Sequence, residues 1–230
     1  MAIPNPFRAT AIFALETFCD QLWCFKSNLI RPFVMQKGAV RSLFWFTTNM
    51  LKYQSTMELW GPKRTHLIVV GICALNGDTY CVFGHAYALE LTYLKQTGKL
   101  FPLTEHQLMD LCGQGEAEIL ATLQRALTNA GLESEILILQ RMRELYHRPE
   151  LATTEQDRQL IHLIRMFATL NACSRKANVP TDQGHGPINK NRAMRDRYRT
   201  FRQAERTRAT SPQSTDVIVL NPADLKADPY

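Results

Sequence analysis

A carboxylate, a thiol and an imidazole lie within eight residues of this chain, directly after an apolar run. Asp78, Cys81 and His85 are spaced by three and four residues, and Asn76-Gly77 before them is a strong turn signal. If a helix begins after that turn, Asp78 suits its N-cap, Cys81 lies in its first turn, and His85 lies one turn further on the same face. A thiol at a helix N-terminus beside an imidazole is an arrangement that favours a thiolate.

The segment resembles the core motif of the alkylhydroperoxidase D / carboxymuconolactone decarboxylase family. In the redox branch of that family, a glutamate precedes an apolar helix that ends near Asn-Gly. A Cys-x-x-Cys pair follows, and a histidine comes four residues after its second cysteine. Cys81 matches the second cysteine and His85 the histidine, whereas Asp78 stands at the first cysteine and His66 at the glutamate. Weaker similarity extends the resemblance to residues 35–185.

This resemblance implies an all-helical, oligomeric protein and a peroxide-reducing thiol. It implies that Cys81 attacks the peroxide and that His85 acts as base or proton donor, with His66 and Asp78 completing the catalytic set. A sulfenic acid has to be resolved by another sulfur, and Asp78 cannot supply one. An external thiol reductant is therefore expected to take part, with Cys73 of the preceding apolar helix as the alternative resolving partner.

The carboxylate of Asp78 also changes the electrostatics of the motif. It competes with a Cys81 thiolate for the same N–H groups at the helix N-terminus, and two neighbouring anions disfavour each other. Protonated His85 or His66 would offset this repulsion.

Three functions remain open from these residues. The first is a one-cysteine thiol peroxidase, an antioxidant oxidoreductase in which Cys81 attacks. The second is a non-redox acid–base enzyme like the decarboxylase branch, with Asp78, His85 and His66 acting on a small carboxylic substrate and Tyr80 orienting it. The third is a member of the family that has lost catalysis and serves as an oligomeric scaffold.

Each of these residues also has a purely structural interpretation. Cys81 can be an inert core thiol, and His85 a core histidine bonded to a backbone carbonyl. Asp78 can be a plain N-cap, and His66 a surface or capping residue at the start of a helix.

The composition is that of a globular protein of 230 residues with 45% apolar residues. No stretch of eighteen uncharged apolar residues occurs, so we expect no membrane span. The six cysteines show no regular spacing, which favours reduced thiols and a cytoplasmic location. Zinc-ligand spacing and phosphate-binding glycine loops are absent, so we expect no metal and no cofactor.

Apolar residues recur with helical periodicity nearly throughout, and this predicts an all-α bundle. Thr104 with Gln107, and Thr154 with Asp157, form predicted capping boxes. Residues 1–34 are predicted as an N-terminal helical extension, 35–185 as the domain that resembles the family, and 186–230 as a basic C-terminal helix and tail. The predicted helices span residues 9–30 (ended or bent by Pro32), 39–53, 64–75, 79–96, 104–111, 116–130, 133–146, 154–177 and 188–208. A short apolar run at 217–220 is predicted as a docked strand or a loose tail.

The positive charge of the chain is concentrated near its C-terminal end. Residues 190–208 hold eight basic and two acidic residues, which gives +6, while the remainder balances at nineteen of each. On a helix the arginines would form one cationic stripe, consisting of Arg192, Arg195, Arg199, Arg202 and Arg206. Met194, Tyr198 and Phe201 lie off the stripe and are predicted to dock on the body. The stripe is either a solvated face or a salt-sensitive contact for nucleic acid or an acidic protein.

Overall fold

The computed structural model of the chain describes residues 6–210, and over that range it contains ten α-helices, two short 3-10 turns and no strand. The predicted all-α fold class is confirmed. The helices are α1 (Pro6–Trp23), α2 (Ile30–Lys37), α3 (Ala39–Trp60), α4 (Pro62–Leu75), α5 (Thr79–Thr97), α6 (Glu105–Met109), α7 (Glu116–Asn129), α8 (Ser134–His147), α9 (Glu155–Ala177) and α10 (Arg192–Thr210). The 3-10 turns are Pro149–Leu151 and Pro187–Lys190.

The centre of the fold is the pair α4 and α5. Every residue from 65 to 74 in α4 is buried, as expected for a helix that is apolar on all sides. Gly77, between the two helices, has φ +69°, a left-handed conformation that glycine adopts without strain. This tight turn lets α5 pack along α4, while α3, α7, α8 and α9 pack around α4.

The N-terminal prediction of one helix over residues 9–30 is wrong. Helix α1 ends at Trp23, Cys24 adopts a left-handed conformation with φ 65°, and α2 begins at Ile30. Pro32 does not end a helix but lies in the first turn of α2, where the missing proline N–H has no helical partner to lose. Apolar residues of α1 and α2, among them Leu15 and Phe33, join the same buried core as α4.

Local capping signals specify several helix ends correctly. Thr104 and Thr154 both form the predicted capping boxes, with Gln107 and Asp157 respectively. Helix α5 ends at Gly98, whose φ of 70° is that of a left-handed C-cap. Helix α3 continues to Trp60 instead of ending near residue 53, because no stop signal occurs before Gly61.

The C-terminal helix places one predicted stripe residue inside the protein. Arg202 is only 6% exposed, and its guanidinium hydrogen-bonds the carboxylate of Glu90 in α5. Tyr198, one turn earlier, donates to the same carboxylate at 2.5 Å. Arg202 therefore does not belong to a solvated cationic face. The predicted docking of Tyr198 is confirmed, and Met194 and Phe201 also pack against the body.

The remaining arginines of the predicted stripe are partly engaged as well. Arg192 and Arg199 both pair with Asp196, and Arg195 donates to Gln183 at 3.0 Å. The regular helix begins at Arg192, because residues 187–190 form a 3-10 turn. None of the helices within residues 6–210 has the length and apolar character needed to cross a membrane. The segment 217–220 lies outside the described residues.

Candidate functional site

Asp78 is the N-cap of α5, as predicted. Its Oδ2 accepts the backbone N–H of Cys81 at 3.3 Å and the side-chain amide of Asn171 in α9 at 2.6 Å. The same Asn171 nitrogen lies 3.5 Å from the sulfur of Cys73. Asp78 is buried, so its carboxylate organises the start of α5 from inside the protein, and it does not line the cavity described below.

Cys81 is a buried thiol in the first turn of α5, 2% exposed. Burial raises the pKa of Cys81 well above its usual value, and the neighbouring Cys73 thiol and the Asp78 carboxylate raise it further. The resting side chain is therefore a thiol, because burial and the adjacent carboxylate outweigh the pull of the helix N-terminus.

His66 and His85 form a buried imidazole pair between α4 and α5. Their Nδ1 atoms are 3.1 Å apart, so one ring donates its Nδ1–H and the other accepts. Burial, with a smaller contribution from His185, lowers the pKa of His66 to about 3, and the same causes lower the pKa of His85 well below its usual value. Both rings are therefore neutral near pH 7. The interpretation of His66 as a surface residue is wrong, since it is completely buried.

The two rings differ in what their remaining nitrogens meet. Nε2 of His66 is sealed in the interior without a hydrogen-bond partner, beside Gly186, where a Cβ would stand 2.8 Å from it. Among the described residues, Nε2 of His85 has no hydrogen-bond partner either, but the protein does not enclose this nitrogen completely. His85 lines a cavity and His66 does not.

That cavity, of about 40 Å³, also brings Cys81 to the same walls as His85. A single water needs about 10–15 Å³, so the space fits a group of about three or four heavy atoms. Aromatic rings form much of the lining, including Tyr53 and Phe167, which meet the His85 ring edge-on. None of the described residues that line it is Lys, Arg, Asp or Glu.

A second histidine in the lining, His185, was not predicted as a site residue. It lies in the loop after α9, and its backbone N–H donates to the carbonyl of Gly84 at 2.8 Å. Its ring packs on Gly84 so closely that a Cβ there would stand 2.3 Å from Nδ1. The loop can pack on α5 at Gly84 because this residue has no side chain. This packing places the ring centroid of His185 5.3 Å from that of His85.

Asp182 holds the His185 ring in place. Its Oδ1 lies 3.0 Å from Nε2 of His185, and its Oδ2 accepts the hydroxyl of Tyr80 at 2.7 Å. Tyr80 in turn pairs with Ser27 at 2.6 Å. In the sequence, Asp182 and His185 are recognisable only as an Asp and a His three residues apart in a glycine-rich loop. That spacing does not indicate which helix the loop packs against.

The predicted site residues are therefore placed in different ways. Cys81 and His85 reach the cavity, although no direct hydrogen bond joins them in the described part of the chain. His66 reaches His85 but not the cavity, and Asp78 reaches only the Cys81 backbone and its immediate surroundings. Within residues 6–210 no group of His, Cys, Asp and Glu is arranged to hold a metal ion.

Comparison with family models, curated proteins and solved structures finds no match. The resemblance to the alkylhydroperoxidase D family accordingly depends on the short motif around Cys81 and His85 alone.

Proposed function

We propose that this protein is a thiol-dependent peroxidase that reduces small, uncharged hydroperoxides through Cys81. The observation that carries the proposal is that a thiol and a neutral imidazole line one small cavity whose described walls hold no formally charged Lys, Arg, Asp or Glu side chain. A hydroperoxide is neutral and compact, so it can enter such a space without the desolvation penalty that a carboxylate or ammonium group would meet.

In this reaction His85 acts as the base. Because Cys81 rests as a thiol, its proton has to leave as the sulfur attacks, and a neutral imidazole at the cavity wall is suited to accept it. The S–O bond forms while the O–O bond breaks, and an alcohol departs once its oxygen gains a proton. Cys81 is left as a sulfenic acid, two electrons more oxidised than the thiol.

His66 is a positioning residue in this scheme. Its Nδ1 contact at 3.1 Å fixes the rotation of the His85 ring, which leaves Nε2 as the nitrogen available to a reacting proton. Asp78 has a structural role as the helix cap, and its charge helps to keep Cys81 protonated until a substrate is present.

Cys73, a buried thiol of α4 that contributes to the raised pKa of Cys81, supplies the second sulfur in this scheme. It can attack the sulfenic acid of Cys81, which releases water and forms a Cys73–Cys81 disulfide. An external thiol then reduces that disulfide by exchange. A reducing thiol pool of this kind is available in the cytoplasm, where we place the protein.

The high pKa of Cys81 is the observation that favours a second candidate function. A non-redox enzyme would use His85 and its neighbours for proton transfer and would not need the thiol. A carboxylic substrate, however, would find no Lys or Arg among the described residues lining the cavity. The acid–base alternative therefore applies best to an uncharged substrate, and a catalytically silent scaffold remains the third candidate.

The proposed oligomer would use the outer face of α3. Val40, Phe44 and Leu51 recur there at helical spacing and are between 70% and 77% exposed. An apolar helix face of this kind is typical of an interface between subunits. We expect Phe44→Glu to reduce the sedimentation coefficient of the assembly, and an unchanged value would remove α3 from the interface.

The proposed contact between α10 and an anionic partner involves fewer arginines than the predicted stripe. Arg202 is excluded by its burial, and Arg192 and Arg199 share Asp196. A weak, salt-sensitive retention of nucleic acid remains a prediction for this helix. Unchanged retention by a chain that lacks residues 190–208 would remove it.

Peroxide consumption in the presence of an external dithiol tests the main proposal. We expect Cys81→Ser to abolish turnover of ethyl hydroperoxide, while Cys24→Ser, which changes an exposed cysteine, leaves it intact. Retained turnover in the Cys81→Ser variant would exclude the thiol mechanism. Turnover of a non-peroxide substrate by that variant would favour the acid–base alternative.

A further inference from the structure

The loop that follows α9 holds a fully engaged carboxylate, Asp182, against His185 and Tyr80 of the cavity wall. Asp182 accepts four hydrogen bonds: from the backbone N–H groups of Asn28 at 3.0 Å and Gln183 at 2.7 Å, from the Tyr80 hydroxyl at 2.7 Å, and from His185 at 3.0 Å. Burial alone would raise the pKa of Asp182, but the bonds from His185, Tyr80 and Asn28 hold it below its usual value. The group is therefore an ionised carboxylate in the interior.

This carboxylate determines how His185 is protonated. Because an ionised carboxylate only accepts hydrogen bonds, Nε2 of His185 carries a proton and donates it to Asp182. Nδ1 is then the nitrogen that gains or loses the transferable proton. In the described part of the chain Nδ1 has no hydrogen-bond partner, and the protein does not enclose it completely.

The environments of the three neighbouring imidazoles separate them into two kinds. His185 has an anionic partner at 3.0 Å that stabilises a positive charge on its ring. His66 and His85 have only each other, and burial keeps both neutral. The carboxylate partner distinguishes His185 from the other two rings and leaves its Nδ1 as the nitrogen for a proton transfer.

We propose that His185, held by Asp182, is the proton donor that completes hydroperoxide cleavage at this site. The proposal rests on the peroxidase function proposed above. As Cys81 attacks and its proton passes to His85, the O–O bond breaks and the Nδ1–H of His185 protonates the departing oxygen, which leaves as an alcohol. The proton that His85 took from Cys81 then passes through the cavity to His185. Each turnover therefore consumes no net proton at the site.

The role of His185 predicts a substrate class. An alkoxide is a poor leaving group and needs a proton as it departs, whereas the carboxylate that leaves from a neutral peracid does not. The acid–base pair therefore suits alkyl hydroperoxides, and the apolar lining around Phe167 accommodates a short alkyl chain.

The leaving group provides the test. Single-turnover oxidation of Cys81 is measured with ethyl hydroperoxide and with performic acid below its own ionisation, two oxidants of four heavy atoms each, in wild type, His185→Gln and His162→Gln. His162 is a matched control, since it is a half-buried histidine that hydrogen-bonds an amide at 3.2 Å and does not line the cavity. We expect His185→Gln to slow the ethyl hydroperoxide reaction by on the order of 10²-fold and the peracid reaction by less than about threefold.

The outcomes separate this inference from the proposed function. An equal loss with both oxidants in His185→Gln would overturn the proton-donor role while leaving the peroxidase intact. Failure of wild type to react with either oxidant would overturn both. Asp182→Asn keeps the ring and its neighbours, and it should show the same selective loss at about tenfold if His185→Gln does not fold.

Histidine NMR of the wild-type protein gives a readout that does not depend on turnover. We expect Nε2 of His185 to carry a proton that it donates to Asp182, and a ring whose Nε2 carries no proton would overturn the assignment. The titratable groups that face or share the cavity with His185 are Asp182 of its own loop, Tyr80, Cys81 and His85 of α5, Tyr53 of α3, Cys19 of α1, and His66 behind His85. From the N-terminal side Trp23 and Phe25 stack on the ring.

Discussion

His66 and His85 face each other through their Nδ1 atoms at 3.1 Å, in a part of the interior where the first ring has no contact with solvent. The pair links the two central helices, and it engages one nitrogen of His85, a ring that lines the cavity together with Cys81. One histidine thus sets the orientation of the other.

Replacing His66 should reduce the chemical step more than substrate binding. His66→Leu removes the partner of the His85 ring, and misplacement of a reacting group lowers rates by on the order of 10²-fold. We expect kcat for ethyl hydroperoxide to fall while KM changes little. His66→Asn, whose amide can still hydrogen-bond Nδ1, should restore part of the rate. Equal effects of Leu and Asn would argue against an orienting hydrogen bond.

The same pair should make the protein sensitive to acid. The folded-state pKa values of His66 and His85 lie below the ordinary value near 6.5, so the unfolded chain binds protons first as the pH falls. Their contribution to stability is therefore present above about pH 6.5 and is lost progressively below it, for His66 towards about pH 3, by up to ~1.4 kcal/mol per pH unit for each group. Urea unfolding between pH 7 and 4 measures this slope.

A double variant, His66→Leu with His85→Leu, should flatten that dependence. His147→Gln, which changes an exposed histidine paired with Glu116, is the control and should retain most of it. The same slope in the double variant and in wild type would assign the acid sensitivity to other groups.

Removing the charge of Asp78 should make Cys81 easier to deprotonate. Asp78→Asn keeps an oxygen that can accept the Cys81 N–H, but it removes one of the causes that raise the pKa of the thiol. We expect alkylation of native Cys81 near pH 8 to become faster by several-fold. Asp196→Asn, on the outer face of α10, should leave the rate unchanged. Slower labelling in Asp78→Asn would contradict the electrostatic account.

Docking of α10 should depend on a single buried ion pair. Arg202→Ala leaves the carboxylate of Glu90, which is completely buried, without its cationic partner. Breaking a buried pair in this way lowers the free energy of unfolding by about 3–5 kcal/mol. Arg199→Ala, at an exposed pair on the same helix, should have little effect. Denaturant unfolding of the two variants distinguishes a buried from a solvated arginine.

Local signals in the sequence identified much of the fold and the residues of α5 that line the cavity, Tyr80, Cys81 and His85. The Asn-Gly turn, the cap at Asp78 and the four-residue step from Cys81 to His85 depend on neighbours in the chain, so spacing predicts them. Pro32 shows the limit of such signals, because a proline marks the first turn of a helix as readily as the end of one.

Contacts between distant segments could not be read from spacing. Asp182 and His185 approach α5 from a loop about a hundred residues further along the chain, and only the space above Gly84 reveals where that loop packs. Arg202 lies on the regular arginine stripe in the sequence. Arg202 is buried because it pairs with Glu90 of α5. The sequence does not show that Glu90 is buried, so it does not show that Glu90 requires a cationic partner.

The most direct measurement is a map of all six cysteines after one equivalent of ethyl hydroperoxide, by peptide mass spectrometry on the native protein. The account predicts that Cys81 is oxidised first and is found in a disulfide with Cys73, and that it accumulates as a trapped sulfenic acid in Cys73→Ala. Cys81 that remains a free thiol while the exposed Cys24 is oxidised would contradict the account.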